Sequence, residues 1–343
     1  MRAVRMHEHG GPEVLKPEDA PDPSPGPNDA IVRVKGCSVN HLDLWIRQGL
    51  PGVKVNLPHI LGCDIAGVVE SAGMNMHGTQ AGDEVIVSPG VSCGNCAMCL
   101  QGLDSGCRDY TVIGGYLLDG GYAEFAKVPG KNLIPKPKNL DFAHAAAFPL
   151  AFLTAWHMLV GRARIRPGEK VLVLAAGSGI GVAAVQIAKM WGCEVIATAG
   201  TEEKRRRAVE LGADHTIDHY SQDIFEECKR ITNKQGVDVV FEHVGPATIP
   251  KGIKSLRRYG RMVFCGATTG AVAEIDLRYV YSRQLELLGS YMGSLGEMKE
   301  VTRFIDEGKL KVVLDSTLPL AEAATAHERL EKKDVFGKIV LTP

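Results

Sequence analysis

The sequence predicts an α/β protein in two parts: a β-rich first half, followed by a parallel, doubly wound sheet. Three observations carry this. At 343 residues the chain exceeds what one compact core organises. The first half alternates in short β-branched runs punctuated by Gly and Pro. From Lys170 onwards, continuous apolar strands alternate with helices, the grammar of a parallel sheet covered on both faces.

In the first half, AIVRVKGCSV (Ala30–Val39), AGVVESAG (Ala66–Gly73) and DEVIVSPG (Asp83–Gly90) read as strands. PDPSPGP (Pro21–Pro27) is a stiff loop, because its prolines fit neither a helix nor a central strand. Ala143–Val160 has helical apolar spacing, with a break expected at Pro149. In the second half Val171–Leu174 is a strand, followed by a Gly-rich turn and a helix at Ile180–Trp191 closed by Gly192. Next come a strand at Val195–Thr198, a helix at Glu202–Leu211 closed by Gly212, and a short strand at Ile217. A helix at Asp223–Thr232, a strand at Val237–Phe241 and a helix ending at Arg258 lead into strands at RMVFCG and LELLGS. The tail carries helices at Leu295–Glu307 and Ala321–Leu330 and a strand at Lys338–Leu341.

Composition narrows the function. Hydrophobic residues are 45% and charged residues 23%, which excludes a disordered or fibrous chain. Lys plus Arg (39) balances Asp plus Glu (40), so nothing points to nucleic acid or an anionic membrane, and the expected partner is a small molecule. The N-terminus, MRAVRMHEHGGPEVL, lacks the apolar core of a signal peptide, and no run approaches the roughly 18 apolar residues of a membrane span. The expectation is a cytoplasmic protein with reduced thiols.

Four of the nine cysteines cluster: Cys93, Cys96, Cys99 and Cys107. Thiolates at this pitch converge when the loop folds around a cation, and four sulfurs satisfy tetrahedral zinc. A four-cysteine shell is closed to water and substrate, so one structural zinc is expected.

The turn after Val171–Leu174 reads AAGSGIG. Small residues at Ala176, Gly177, Ser178, Gly179 and Gly181, with Ile180 among them, let a pyrophosphate approach the backbone at a helix N-terminus. At the end of the next strand, where an NAD site usually places an acid, stands Ala199. Thr201, Lys204 and Arg205 follow, and a hydroxyl with cations suits a 2′-phosphate, so NADP(H) is favoured over NAD(H). Glu202 and Glu203 work against that preference.

VNHLDLWIRQG, LPHILGCDIAGVV, CGNCAMCLQGLDSGC, DGGYAEFAKVP, AAGSGIGVAAVQIAK and ELGADHTID together resemble the medium-chain dehydrogenase/reductase superfamily, over essentially the whole chain. The resemblance implies a GroES-like domain with a zinc lobe, here 1–151 with 291–343, and a Rossmann coenzyme domain, here 152–290. It also implies a homodimer or homotetramer.

In the zinc alcohol dehydrogenases of that superfamily, a second, catalytic zinc is held by Cys, His and a later Cys. Those positions fall on Asn40, Cys63 and Leu150, with Asp64 at the Glu beside the His. Asp43 alone retains the family's supporting acid. Val-Asn-x-x-Asp and Gly-x-Asp at these places look like the quinone oxidoreductase branch, which transfers hydride without a Lewis acid. A salvaged metal site from His41, Cys63, Asp64 and His59 is the competing reading.

The candidate catalytic residues are therefore Asn40, His41, Asp43, Cys63 and Asp64. Asn40 either holds the nicotinamide ribose or the substrate carbonyl, or is a turn residue. His41 either relays a proton or is a loop histidine. Asp43 orients its neighbours or begins a helix. Trp45 walls a pocket or packs in the core. Cys63 reads more simply as a small buried hydrophobe. Thr154 resembles a family position close to the nicotinamide. His243, Gly266, Ala267 and Thr268 follow strands at the edge where doubly wound folds bind ligands. The first function expected is NAD(P)H-dependent reduction of a quinone, enone or unsaturated thioester. The alternatives are an alcohol dehydrogenase and a non-catalytic, crystallin-like NADPH-binding protein.

Overall fold

A computed structural model describes every residue, Met1–Pro343. The chain divides into two units. The first comprises Met1–Leu153, Gly293–Gly308 and Val312–Pro343; the second comprises Thr154–Met292 and Lys309–Lys311. The short Lys309–Lys311 piece joins the second unit through Gln186, whose amide donates to Lys311 O (2.9 Å) and accepts from Lys311 N (2.8 Å).

The first unit is built on a sheet whose path runs Leu133–Pro135, Glu84–Val87, Asp64–Ala72, Asp29–Ser38, Lys338–Thr342, Leu314–Pro319. Phe125–Pro129 pairs with Asp29–Ser38 as well. Asp29–Ser38 is central: it is buried continuously at Ala30–Val32, alternates through Lys35, and is buried continuously again at Gly36–Ser38. Its register decides the site. Ser38 lies opposite Asp64 on one neighbour and opposite Val340 on the other. The C-terminal strand is thereby delivered to the end of Asp29–Ser38, far away in sequence.

In the second unit the six-stranded parallel sheet runs His215–Asp218, Glu194–Ala199, Lys170–Val173, Val237–Glu242, Leu256–Phe264, Glu286–Gly289. Counting from Lys170–Val173, this is the order 3-2-1-4-5-6 of a dinucleotide-binding fold. Its interior strands are wholly apolar at Val171–Leu174 and Val195–Ala197, as burial on both faces requires.

The expected elements are present with shifts of a few residues. Pro149 opens a new helix, Pro149–Trp156, in the position where its missing N–H costs nothing. The chain continues into a π-helical turn at His157–Arg162. The sequence reading does not include the strands Arg2–Met6, Lys16–Asp19 and Phe125–Pro129, the helix Leu277–Arg283, which has no buried residue, or the half-exposed strand Leu314–Pro319 paired with the C-terminal one. No helix is long and apolar enough to cross a membrane.

Candidate active site and zinc lobe

The short helix His41–Gln48 starts where the central strand ends. Asn40 is its N-cap, and the Asn40 backbone N–H donates to the Asp43 carboxylate (2.7 Å), the return half of a capping box. This turns Asn40 and Asp43 inward. The Asn40 side chain is 7% exposed, and Asp43, Cys63 and Asp64 are fully buried.

Asp64 is the hub. Its Oδ1 accepts from the Leu150 backbone N–H (2.7 Å). Its Oδ2 accepts from Ser38 Oγ (2.7 Å) and Asn40 Nδ2 (2.8 Å), with Lys338 Nζ at 3.3 Å. Asn40 Nδ2 also lies 3.5 Å from Cys63 Sγ. Asn40, Cys63 and Leu150, the three positions where related enzymes place metal ligands, are thus gathered around one carboxylate. Lys338 has no counterpart in the sequence reading. It comes from the C-terminal strand and donates to Val39 O (2.8 Å) and to Asn40 Oδ1.

Asp43 accepts from Gly62 N (3.1 Å) and from the Tyr122 hydroxyl (3.3 Å). Burial raises its carboxyl to about 7, against the pull of the Asn40 N–H and the Lys338 charge. Tyr122 in turn lies 3.1 Å from His327 Nε2, and Arg47 lies 3.2 Å from His327 Nδ1. Arg47, in the last turn of the helix His41–Gln48, is 1% exposed and also pairs with Glu331.

Burial pushes the Cys63 thiol well above its ordinary range, so it is a thiol and no nucleophile. Asp43, Cys63 and Asp64 have no surface to offer a substrate, and they act by holding Asn40 and the surrounding backbone. His41 is partly exposed on the first helical turn, its ring 6.3 Å from that of Trp45. His41, Cys63, Asp64 and His59 form no group of converging ligand atoms, and the buried His59 turns Nδ1 to Asp119 (3.2 Å).

The one cluster of ligating atoms is Cys93, Cys96, Cys99 and Cys107, whose sulfurs all lie within 4.8 Å of one another. Cys96–Cys99 is 3.5 Å and Cys93–Cys99 is 3.9 Å. A tetrahedron with zinc–sulfur bonds of about 2.3 Å has edges of about 3.8 Å, so the residues fit the metal. Backbone N–H groups of Asn95 and Cys96 lower the Cys93 thiol to about 6, while Cys107, against the pull of the Cys93 N–H, is raised to about 11 by burial and the Cys93 and Cys99 sulfurs. Asp104, within the lobe, caps a distant helix by accepting from Leu295 N (2.7 Å).

In the second unit Ser178 caps helix Gly179–Met190 by accepting from Gly181 N (3.0 Å). A Cβ on Gly181 would sit 2.4 Å from Ala175 O and 2.8 Å from Ala176 Cα, so only glycine allows this strand–helix approach. Ala176–Gly181 therefore present a helix N-terminus suited to a pyrophosphate. His243 supports the turn from beneath. It bonds Leu174 O (2.8 Å), lies 3.4 Å from Ser178 Oγ, and burial lowers it to about 4. Thr201 caps the next helix through Lys204 N (3.2 Å), and Arg205 pairs with Asp218 (3.0 Å). Gly266, Ala267 and Thr268 are exposed just beyond strand Leu256–Phe264, with Thr268 Oγ1 3.4 Å from His243 O. Thr154 is buried at the start of this unit.

Residues 26–138 match the alcohol dehydrogenase GroES-like domain, and residues 179–307 match the zinc-binding dehydrogenase family. The chain belongs to the medium-chain dehydrogenase/reductase superfamily. A solved structure of an NAD-dependent alcohol dehydrogenase is 48% identical, with a TM-score of 0.97 and 100% of both chains covered. The quinone oxidoreductase of Pongo abelii is 31% identical over 99% of this chain and 97% of its own length. The NAD-dependent alcohol dehydrogenase of Saccharolobus solfataricus is 33% identical over 100% of both. The protein is an oxidoreductase, built from a GroES-like and a Rossmann-type domain.

Proposed function

We propose that the protein is an NAD(P)H-dependent reductase of acceptors conjugated to a carbonyl: a quinone, an enone or an unsaturated thioester. The observation that carries this is the Lys338–Asp64 pair among Asn40, Cys63 and Leu150. An amide, a protonated thiol and a backbone N–H replace a ligand set, and a buried ammonium beside them opposes a second cation. Oxidising an alcohol requires its proton to be removed, which a metal makes accessible at neutral pH. A conjugated acceptor needs no such activation. An enone or unsaturated thioester takes a hydride at the β-carbon and a proton at the α-carbon, and a quinone takes a hydride and a proton to become the hydroquinone; either needs only orientation and a donor to the developing oxyanion.

A nicotinamide dinucleotide supplies that hydride when bound. Ala176–Gly181 would hold its pyrophosphate, with His243 fixing the turn. Thr154, Gly266, Ala267 and Thr268 are the further coenzyme residues. Thr201 and Lys204 support NADP(H) over NAD(H), given the missing acid at Ala199. Asn40 is the donor to the acceptor oxygen, and His41 is the partly exposed proton carrier. The four cysteines would hold one structural zinc that cross-links their lobe. A homodimer or homotetramer in the cytoplasm completes the proposal.

Alcohol–carbonyl interconversion is the second reading, favoured by the names of two relatives. A panel separates the two. Oxidation of NADPH and NADH is followed with quinones, enones and enoyl thioesters, and against simple aldehydes and ketones. Turnover confined to conjugated acceptors supports the proposal; turnover confined to alcohol–aldehyde pairs overturns it.

A further inference from the structure

We propose that Lys338 is a positioning residue that sets which way the Asn40 amide faces, and so makes Asn40 a hydrogen-bond donor. The inference rests on the reading that Asn40 serves the oxygen of the acceptor.

Lys338 is 5% exposed, and its backbone is pinned by Lys338 N donating to Val313 O (3.1 Å). The preceding Gly337 has φ of 96°, and a Cβ there would lie 2.4 Å from the same carbonyl, so the turn that aims Lys338 requires glycine. An ammonium has three donors and no acceptor. Here each faces an acceptor: Val39 O, Asn40 Oδ1 and Asp64 Oδ2. The Asn40 amide consequently has one allowed orientation. Flipping it would set its NH2 against the ammonium and Oδ1 against the Asp64 carboxylate. Asn40 Nδ2 spends one proton on Asp64 at 2.8 Å. Its other proton has only Cys63 Sγ and the Ser38 carbonyl, both at 3.5 Å, beyond good hydrogen-bond length for the oxygen. That weakly used proton is the one available to a developing oxyanion.

The same ammonium balances Asp64, so a single buried cation both neutralises the hub and selects the amide face. Lys338 itself has no donor left for substrate. It acts through Asn40.

A double-mutant cycle on kcat tests this, using a quinone or enone the enzyme turns over. Asn40→Ala is expected to lower kcat about 100-fold with little change in KM, the loss typical of one oxyanion donor. Lys338→Met should lower kcat to a similar extent, and the double variant should be no worse than either single one. Lys338→Arg, which is also donor-only, should recover part of kcat. Multiplying losses in the double variant would overturn the role of Lys338 while leaving Asn40 as the donor. An unchanged kcat in Asn40→Ala would instead overturn the underlying reading of Asn40. Where Lys338→Met does not fold, Lys338→Gln, whose carboxamide tolerates either Asn40 orientation, carries the same expectations.

Discussion

Tyr122 and His327 meet in the buried core of the first unit, hydroxyl to Nε2, at 3.1 Å. The direction of that bond follows from Arg47, which can only donate and faces His327 Nδ1 at 3.2 Å. Nδ1 must therefore accept, which places the single proton of a neutral ring on Nε2. Burial, then the Arg47 charge, hold His327 at about 3, so the ring is neutral at physiological pH. Nε2–H donates to the Tyr122 oxygen, and the Tyr122 hydroxyl donates in turn to Asp43 (3.3 Å). Replacing Tyr122 by Phe should leave His327 Nε2–H unsatisfied and deprive Asp43 of a donor. The expected destabilisation is about 1–3 kcal/mol, read from urea denaturation midpoints at constant m-value.

Asp43 gives the protein a signed pH dependence. Its carboxyl is raised from 3.8 to about 7, so the folded state binds more protons than the unfolded state between those values. Stability from this group is fully present below pH 3.8 and is lost as pH rises through about 7. The full effect is about 4 kcal/mol. His327 and His243, lowered from 6.5 to about 3 and about 4, act oppositely and lose stability as pH falls through that range. The difference between wild type and Asp43→Asn isolates the carboxylate. Relative to wild type, the variant should gain stability as pH rises from 3.8 to about 7, and a pH-independent difference would contradict the raised carboxyl.

Substituting Cys96 by Ser removes one of four converging sulfurs. The expected result is loss of bound zinc and release of the lobe, seen as faster proteolysis within residues 93–107. Because Asp104 caps the helix Leu295–Asp306, amide exchange at its first turn should rise as well. Unchanged zinc content would refute the assignment.

Lys204→Ala probes cofactor choice. A cation on a 2′-phosphate should be worth about tenfold or more in affinity, so the Kd for NADPH should rise while that for NADH stays nearly constant. Equal changes would remove the phosphate reading.

The zinc lobe and the dinucleotide turn were legible because their residues are local. Four sulfurs within fifteen residues, or small residues between a buried strand and a helix, declare themselves in one window. Asn40 and Asp64 were legible as positions, but their partners were not. Lys338 and His327 lie 298 and 280 residues from Asn40 and Arg47 respectively, and no periodicity links them. The burial of Arg47 was not legible, because charge patterning does not show that a histidine and a carboxylate await it. Leu277–Arg283 and Leu314–Pro319 escaped notice because neither buries a continuous apolar face.

Metal stoichiometry measured on active enzyme separates a structural zinc from a catalytic one. One zinc per chain is expected, held by the four cysteines, with full turnover of a conjugated acceptor. Two zinc ions per chain, with the second lost to a chelator together with turnover, would contradict it.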